Sequence, residues 1–188
     1  MPQADPRELL VKIAEILERL DILYMITGGM AVLVWGRPRF TADIDIVAEI
    51  KEKHINILSK ALMALGKAGY INKEAMREAI SRKGEFNFID GETGVKVDFW
   101  VLNDNLFAKS RIKKRVIKEI DNQKVYFVSP EDLILSKLEW YQQGQSSRHL
   151  EDAESILKIS GDKLDKAYLK QWAERLGVLE ALNKLWPL

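Results

Sequence analysis

Apolar positions along the chain change period several times, and each change marks an element. Behind Asp5-Pro6-Arg7-Glu8, the residues Leu9, Leu10, Ile13, Ile16, Leu17 and Leu20 recur at helical spacing. Asp before Pro, with Glu in the first turn, is a helix start. Ile22 to Ile26 reads as a short strand. Gly28-Gly29 then turns the chain into a brief helix from Met30 to Trp35, ended by Gly36. Asp43 to Ile50 reads as a second strand. Helices follow over Lys53 to Lys67, stopped by Gly69, and over Lys73 to Arg82. Glu85–Ile89 and Val95–Val101 alternate apolar and polar in the manner of strands, joined by the turn Asp90–Gly94. Arg115–Ile120 and Lys124–Val128 form a hairpin around Asp121-Asn122. Ser129-Pro130-Glu131-Asp132 is a second strong helix start. Everything beyond it has helical period, with breaks near Gly144 and Gly161. The expectation is an α+β protein: a mixed β-sheet flanked by helices in residues 1–128, and a helical C-terminal region, 129–188, completing the cleft.

Composition narrows the class. The 188 residues are 47% hydrophobic and 30% charged, which is ordinary for a globular protein and excludes a disordered one. No apolar run approaches the roughly 18 residues of a membrane span, and MPQADPRELL has no basic segment followed by an apolar core, so no leader is expected. Without cysteine there is no disulfide framework and no thiolate metal site. A cytoplasmic location is the default. A net charge of +1 leaves any nucleic-acid binding to a local patch.

The chemistry lies in misplaced acids. Aspartate is rare inside strands, yet DIDIV sets Asp43 and Asp45 into one. On a strand, alternate side chains share a face, so the two carboxylates would point the same way and repel. A hard divalent cation relieves that repulsion: Mg²⁺ is typically held by one or two carboxylates plus substrate phosphates. Asp98, between Val97 and Phe99, repeats the oddity. If the two strands are neighbours, three carboxylates converge in the arrangement that metal-assisted phosphoryl transfer uses. Gly28-Gly29 fits the same site, because a backbone without Cβ can approach a ligand closely and a helix N-terminus offers N–H groups to an anion. No GxxxxGK[ST] and no GxGxxG occurs.

Gly28-Gly29, thirteen residues, then Asp43-Ile44-Asp45, with a later strand acid at Asp98, resembles the DNA polymerase β-like nucleotidyltransferase superfamily, and within it the minimal branch around the AbiEii/AbiGii-type toxins. The resemblance implies a nucleotidyltransferase fold over residues 22 to about 101 and a metal-dependent transferase. That enzyme would move a nucleoside monophosphate from an NTP to a hydroxyl acceptor and release pyrophosphate. It implies that Asp43, Asp45 and Asp98 are catalytic and bind Mg²⁺, with Mn²⁺ as a substitute. Asp98 would also take the proton of the attacking hydroxyl. Gly28, Gly29, Arg39 and Thr41 would contact the nucleotide, and so would Lys137, Arg148 and Asp152 from the helical region. Many active relatives carry Ser where this chain has Gly29.

Two function classes follow: an active transferase, or a catalytically silent protein of the same fold that binds a nucleotide or a partner in a toxin–antitoxin system. The acceptor is open between a tRNA end, a protein and a small molecule. An antitoxin partner and a homodimer are compatible with the chain. The basic run Lys109–Arg115 is either a grip for RNA phosphates or the solvated edge of a strand. His54 and His149 have no metal-ligand spacing. Lys137, on an otherwise apolar helix, either enters the cleft or extends its ammonium to solvent. Trp140, Trp172 and Trp186 are expected in the helical core or a dimer contact.

Overall fold

The structure, a computed structural model, describes residues 5–186. The chain divides into two compact units. Among the described residues, the first comprises residues 5–30 together with Phe40–Phe127; the second comprises Ala31–Arg39 and residues 128–186.

The first unit is built on a seven-stranded mixed sheet. Its strands are β1 (Tyr24–Thr27), β2 (Ile44–Ala48), β3 (Tyr70–Ile71), β4 (Glu85–Ile89), β5 (Lys96–Val101), β6 (Val116–Ile120) and β7 (Gln123–Phe127), in the order β3-β4-β5-β2-β1-β7-β6. β2 runs parallel to β5, and β1 to β7; the other neighbours are antiparallel. The α+β fold with a mixed sheet is therefore as expected. Ile26, Ile44, Ile46, Phe86, Phe88, Val97 and Phe99 are buried, and strict alternation along β2, β4 and β5 collects them on one face. Burying each such side chain stabilises the fold by about 1.5–3 kcal/mol. The helices α1 (Pro6–Arg19), α3 (Ile55–Met63) and α4 (Lys73–Arg82) contribute Leu10, Ile13, Leu17, Leu58, Leu62 and Met76 to the same core. Asp5 caps α1 by accepting from the Arg7 amide at 2.9 Å. α2 (Gly28–Trp35) follows β1 directly.

Several expectations change, most of them by a residue or two at an element's end. The strand beginning at Asp43 starts one residue later, because pairing with β5 opens at Ile44 opposite Val97. The helix expected to reach Lys67 ends at Met63, and the chain turns through Ala68 at φ 63°. The basic run Lys109–Arg115 is not a strand edge. It lies mostly on α5 (Leu106–Lys114), which Asn105 caps by accepting from the Ala108 amide and which buries Phe107, Ala108 and Ile112.

The second unit is helical: α6 (Pro130–Gly144), α7 (Ser147–Ser160), α8 (Lys166–Arg175) and α9 (Leu179–Leu185). Ser129 caps α6, with Pro130 in its first turn. All of Glu131 to Leu138 is buried, so the first turns of α6 are covered on every side, whereas Trp140 and residues 142–144 are exposed. Its polar members are satisfied: the Tyr168 hydroxyl donates to Asp132 at 2.8 Å, and Glu131 accepts from the Asp165 amide at 2.9 Å. Trp172 lies in this core, whereas Trp140 is 45% exposed. No described helix is long and apolar enough to cross a membrane.

Candidate active site

In the first unit the acids are arranged by register. Thr27 on β1 stands opposite Asp45 on β2, Asp45 opposite Asp98 on β5, and Asp98 opposite Asn87 on β4. Directly opposite residues share a face, so four polar side chains form one row across the sheet, on the face away from the apolar core. Asp45 and Asp98 are only partly exposed. Asp43 lies one residue before β2, exposed, and level with Lys96 one step beyond the end of the β2–β5 ladder.

The glycine pair is tied to this row. Gly28 has φ +59°, a backbone that favours glycine. A Cβ on Gly28 would lie 1.9 Å from Oδ2 of Asp45, so that carboxylate rests against the bare backbone at the start of α2. A Cβ on Gly29 would lie 2.3 Å from Oγ1 of Thr41. The Thr41 hydroxyl thus occupies the place from which a residue-29 side chain would project.

Lys96 reaches the same row from within β5. Its ammonium is 2.8 Å from Oδ2 of Asp98, whose side chain is 14% exposed. The hydrogen bond to Asp98 holds the lysine above its ordinary pKa, against a smaller effect of burial, and the charges of Asp98, Asp43 and Glu85 add to it.

The second unit gathers its own charged group. Asp152 on α7 accepts from Arg39 through Nε to Oδ1 and Nη2 to Oδ2, both at 2.8 Å. Lys137 on α6 places its ammonium 2.8 Å from Oδ2. The Lys137 and Asp152 side chains are 7% and 4% exposed. Lys137 therefore does not extend to solvent; it is a buried cation with a buried partner. Burial pushes the Asp152 carboxyl up, but the hydrogen bonds and charges of Arg39 and Lys137 outweigh it and hold the carboxyl below its usual range. Arg148, early on α7, is exposed. His149 is held below its ordinary pKa by burial and by the Lys137 charge.

Similarity decides the family. The family described as "Nucleotidyl transferase AbiEii toxin, Type IV TA system" matches residues 15–184. The chain belongs to the AbiEii family. No curated protein sequence matches this chain. Among solved structures, the antibiotic-resistance factor ANT(2'')-Ia matches with a TM-score of 0.58 at 16% identity, over 95% of this chain and 97% of that one. The lincosamide antibiotic adenylyltransferase LnuA, lincomycin-bound, gives 0.53 at 16%, over 83% and 98%. An antigenic nucleotidyltransferase-like protein from Paracoccidioides brasiliensis gives 0.51 at 17%, over 94% and 91%. At these identities the likeness is one of fold, and that fold is the nucleotidyltransferase one.

Asp45 and Asp98 are oxygen donors of the kind that could hold Mg²⁺. Among the described residues no three of His, Asp, Glu or Cys enclose an ion by themselves. Mg²⁺ does not require this, since it takes one or two carboxylates and completes its shell with substrate phosphates and water. Asp45 abreast of Asp98, with Gly28 opening the backbone beside them, could serve as such a half-shell. Pattern alone did not find Thr27, Asn87 or Lys96. Lys96 had a signal, being two residues before Asp98 on a strand and so on its face. Asn87 and Thr27 needed the register.

Proposed function

We propose that this chain transfers a nucleoside monophosphate from an NTP to a hydroxyl acceptor. The observation that carries it is Asp45 abreast of Asp98 on parallel neighbours, with an Asp45 oxygen against Gly28. In the reaction the acceptor oxygen bonds to the α-phosphorus, the bond from that phosphorus to the bridging oxygen breaks, and pyrophosphate leaves. Asp98 takes the acceptor's proton. Asp45 and Asp98 would hold Mg²⁺ or Mn²⁺, which when bound supplies charge neutralisation for the triphosphate and the leaving group; the exposed Asp43, beside the end of the ladder, is a further acid that closes no three-acid cage among the described residues. The α2 N-terminus and the glycine backbone receive phosphate oxygens. Thr41 supplies the hydroxyl that a serine at position 29 would give, because its Oγ1 already occupies that space. Arg39, Lys137 and Asp152 hold one another, so their first role is to fix α6 and α7 within their unit. Arg148, exposed, is the second unit's candidate phosphate contact.

The family description names a toxin of a type IV toxin–antitoxin system, and an antitoxin partner belongs to the proposal. The acceptor classes to be distinguished are an RNA end, a protein and a small molecule. Incubating the protein with α-labelled NTPs, Mg²⁺ and total RNA, total protein or a panel of hydroxyl-bearing antibiotics distinguishes them. Label should move to one class and be lost in Asp45→Asn/Asp98→Asn. Undiminished transfer by that variant, with an unchanged circular-dichroism spectrum, would refute the assignment.

A further inference from the structure

We propose that Lys96 is a tethered counter-cation of the carboxylate row, which a divalent ion must displace in order to bind. This rests on the reading of Asp45 and Asp98 as metal ligands. The argument is one of place and charge. Lys96 and Asp98 are two residues apart on β5, so both side chains leave the same face of the strand. The Lys96 ammonium is 2.8 Å from Oδ2 of Asp98. Asp43, level with Lys96 across the ladder, acts on the same ammonium.

One cation is therefore already bound to Asp98, at one of the two oxygens it could offer a divalent ion, and two positive charges so close would repel. A primary ammonium and Mg²⁺ cannot share one lone-pair direction at bonding distance. The ammonium has somewhere to go: the Lys96 side chain is 44% exposed on a flexible stem, so it can swing into water at little cost. Without a metal, it neutralises part of the repulsion between Asp45 and Asp98 and keeps Asp98 oriented. With a metal, it is released. Lys96 is thus a positioning residue, and its effect is to weaken metal binding in the absence of nucleotide.

The test uses the full chain and Mn²⁺ alone, with free Mn²⁺ followed by electron paramagnetic resonance. Lys96→Met keeps the stem and removes the charge. It should bind Mn²⁺ tighter by roughly three- to tenfold, the scale of one part-exposed ion pair plus one lost repulsion. Asp98→Asn should lose most of the binding. Equal or weaker Mn²⁺ binding by Lys96→Met would overturn the role of Lys96 while leaving the metal site standing. No Mn²⁺ binding by either the wild type or Lys96→Met at millimolar concentration would overturn the metal site itself, and this inference with it.

Discussion

Asp152→Asn should be among the most destabilising single changes in the second unit, and the structure says by how much. The Asp152 carboxylate receives three charged contacts at 2.8 Å, two from Arg39 and one from Lys137, and its side chain is 4% exposed. An amide keeps the shape but not the charge. Arg39, 24% exposed, can turn to water. Lys137, 7% exposed, cannot, and is left as an uncompensated buried ammonium. Breaking a buried pair in this way costs about 3–5 kcal/mol, or roughly 10 °C in Tm for a chain of this size. Trp35, Trp140, Trp172 and Trp186 all belong to the second unit, leaving Trp100 as the one tryptophan elsewhere. Denaturation followed by tryptophan fluorescence therefore reports mainly on this unit. Lys137→Met added to Asp152→Asn should recover most of the loss, because the stranded cation is gone. The pH dependence has a fixed sign. The folded carboxyl lies below its ordinary value of 3.8, so its contribution is complete above that value and disappears as the pH falls through the folded pKa. The gap between wild type and variant should close only below about pH 4. A loss under 1 kcal/mol for Asp152→Asn, or no recovery in the double variant, would refute the buried-pair account.

Two further outcomes test the first unit. Gly28→Ala places a Cβ 1.9 Å from Oδ2 of Asp45 at φ +59°. The carboxylate, being the movable partner, should swing away, so Mn²⁺ affinity should fall more than about tenfold while backbone strain costs only about 1–2 kcal/mol; unchanged Mn²⁺ affinity would separate Asp45 from the metal. Thr41→Ala should weaken binding of a non-hydrolysable NTP with Mg²⁺ about three- to tenfold, the worth of one hydrogen bond. Gly29→Ser alone should collide with Thr41, and Gly29→Ser/Thr41→Ala should bind better by calorimetry than Thr41→Ala alone. A double variant no better than Thr41→Ala would remove Thr41 from the phosphate site.

The parts that were legible in the sequence are those that local rules govern. Strand β4 and helix α4 have the predicted bounds, because alternation in EFNFI and the Asn72 cap before Lys73 act within a few residues. The Asp121-Asn122 turn was legible for the same reason: both residues take positive φ, which Asn and Asp tolerate better than most. The basic run Lys109–Arg115 was not legible. Its composition suits an exposed surface of any kind, and only the Asn105 cap and the spacing of Phe107 to Ile112 distinguish a helix there from a strand edge.

The site divides along the same line. That Asp45 and Asp98 are unusual was visible in each strand separately, since an acid inside an apolar alternation is a local anomaly. That they stand abreast depended on β2 pairing parallel to β5, a contact between residues more than fifty apart that no local pattern specifies. The same register brings Asn87 and Thr27 into the row and sets Asp43 level with Lys96. Lys137 shows the converse. Taken alone, a lysine on an apolar helix is expected to reach for solvent, because an unpaired buried ammonium is too costly. It stays buried here because Asp152 and Arg39, from distant parts of the chain, make a neutralising partner that the sequence does not place beside it. Charged residues in this protein are thus locally conspicuous but globally assigned. The anomaly marks where chemistry lies, and only the pairing decides whether it serves the fold, as at Asp152, or a ligand, as proposed for Asp45 and Asp98.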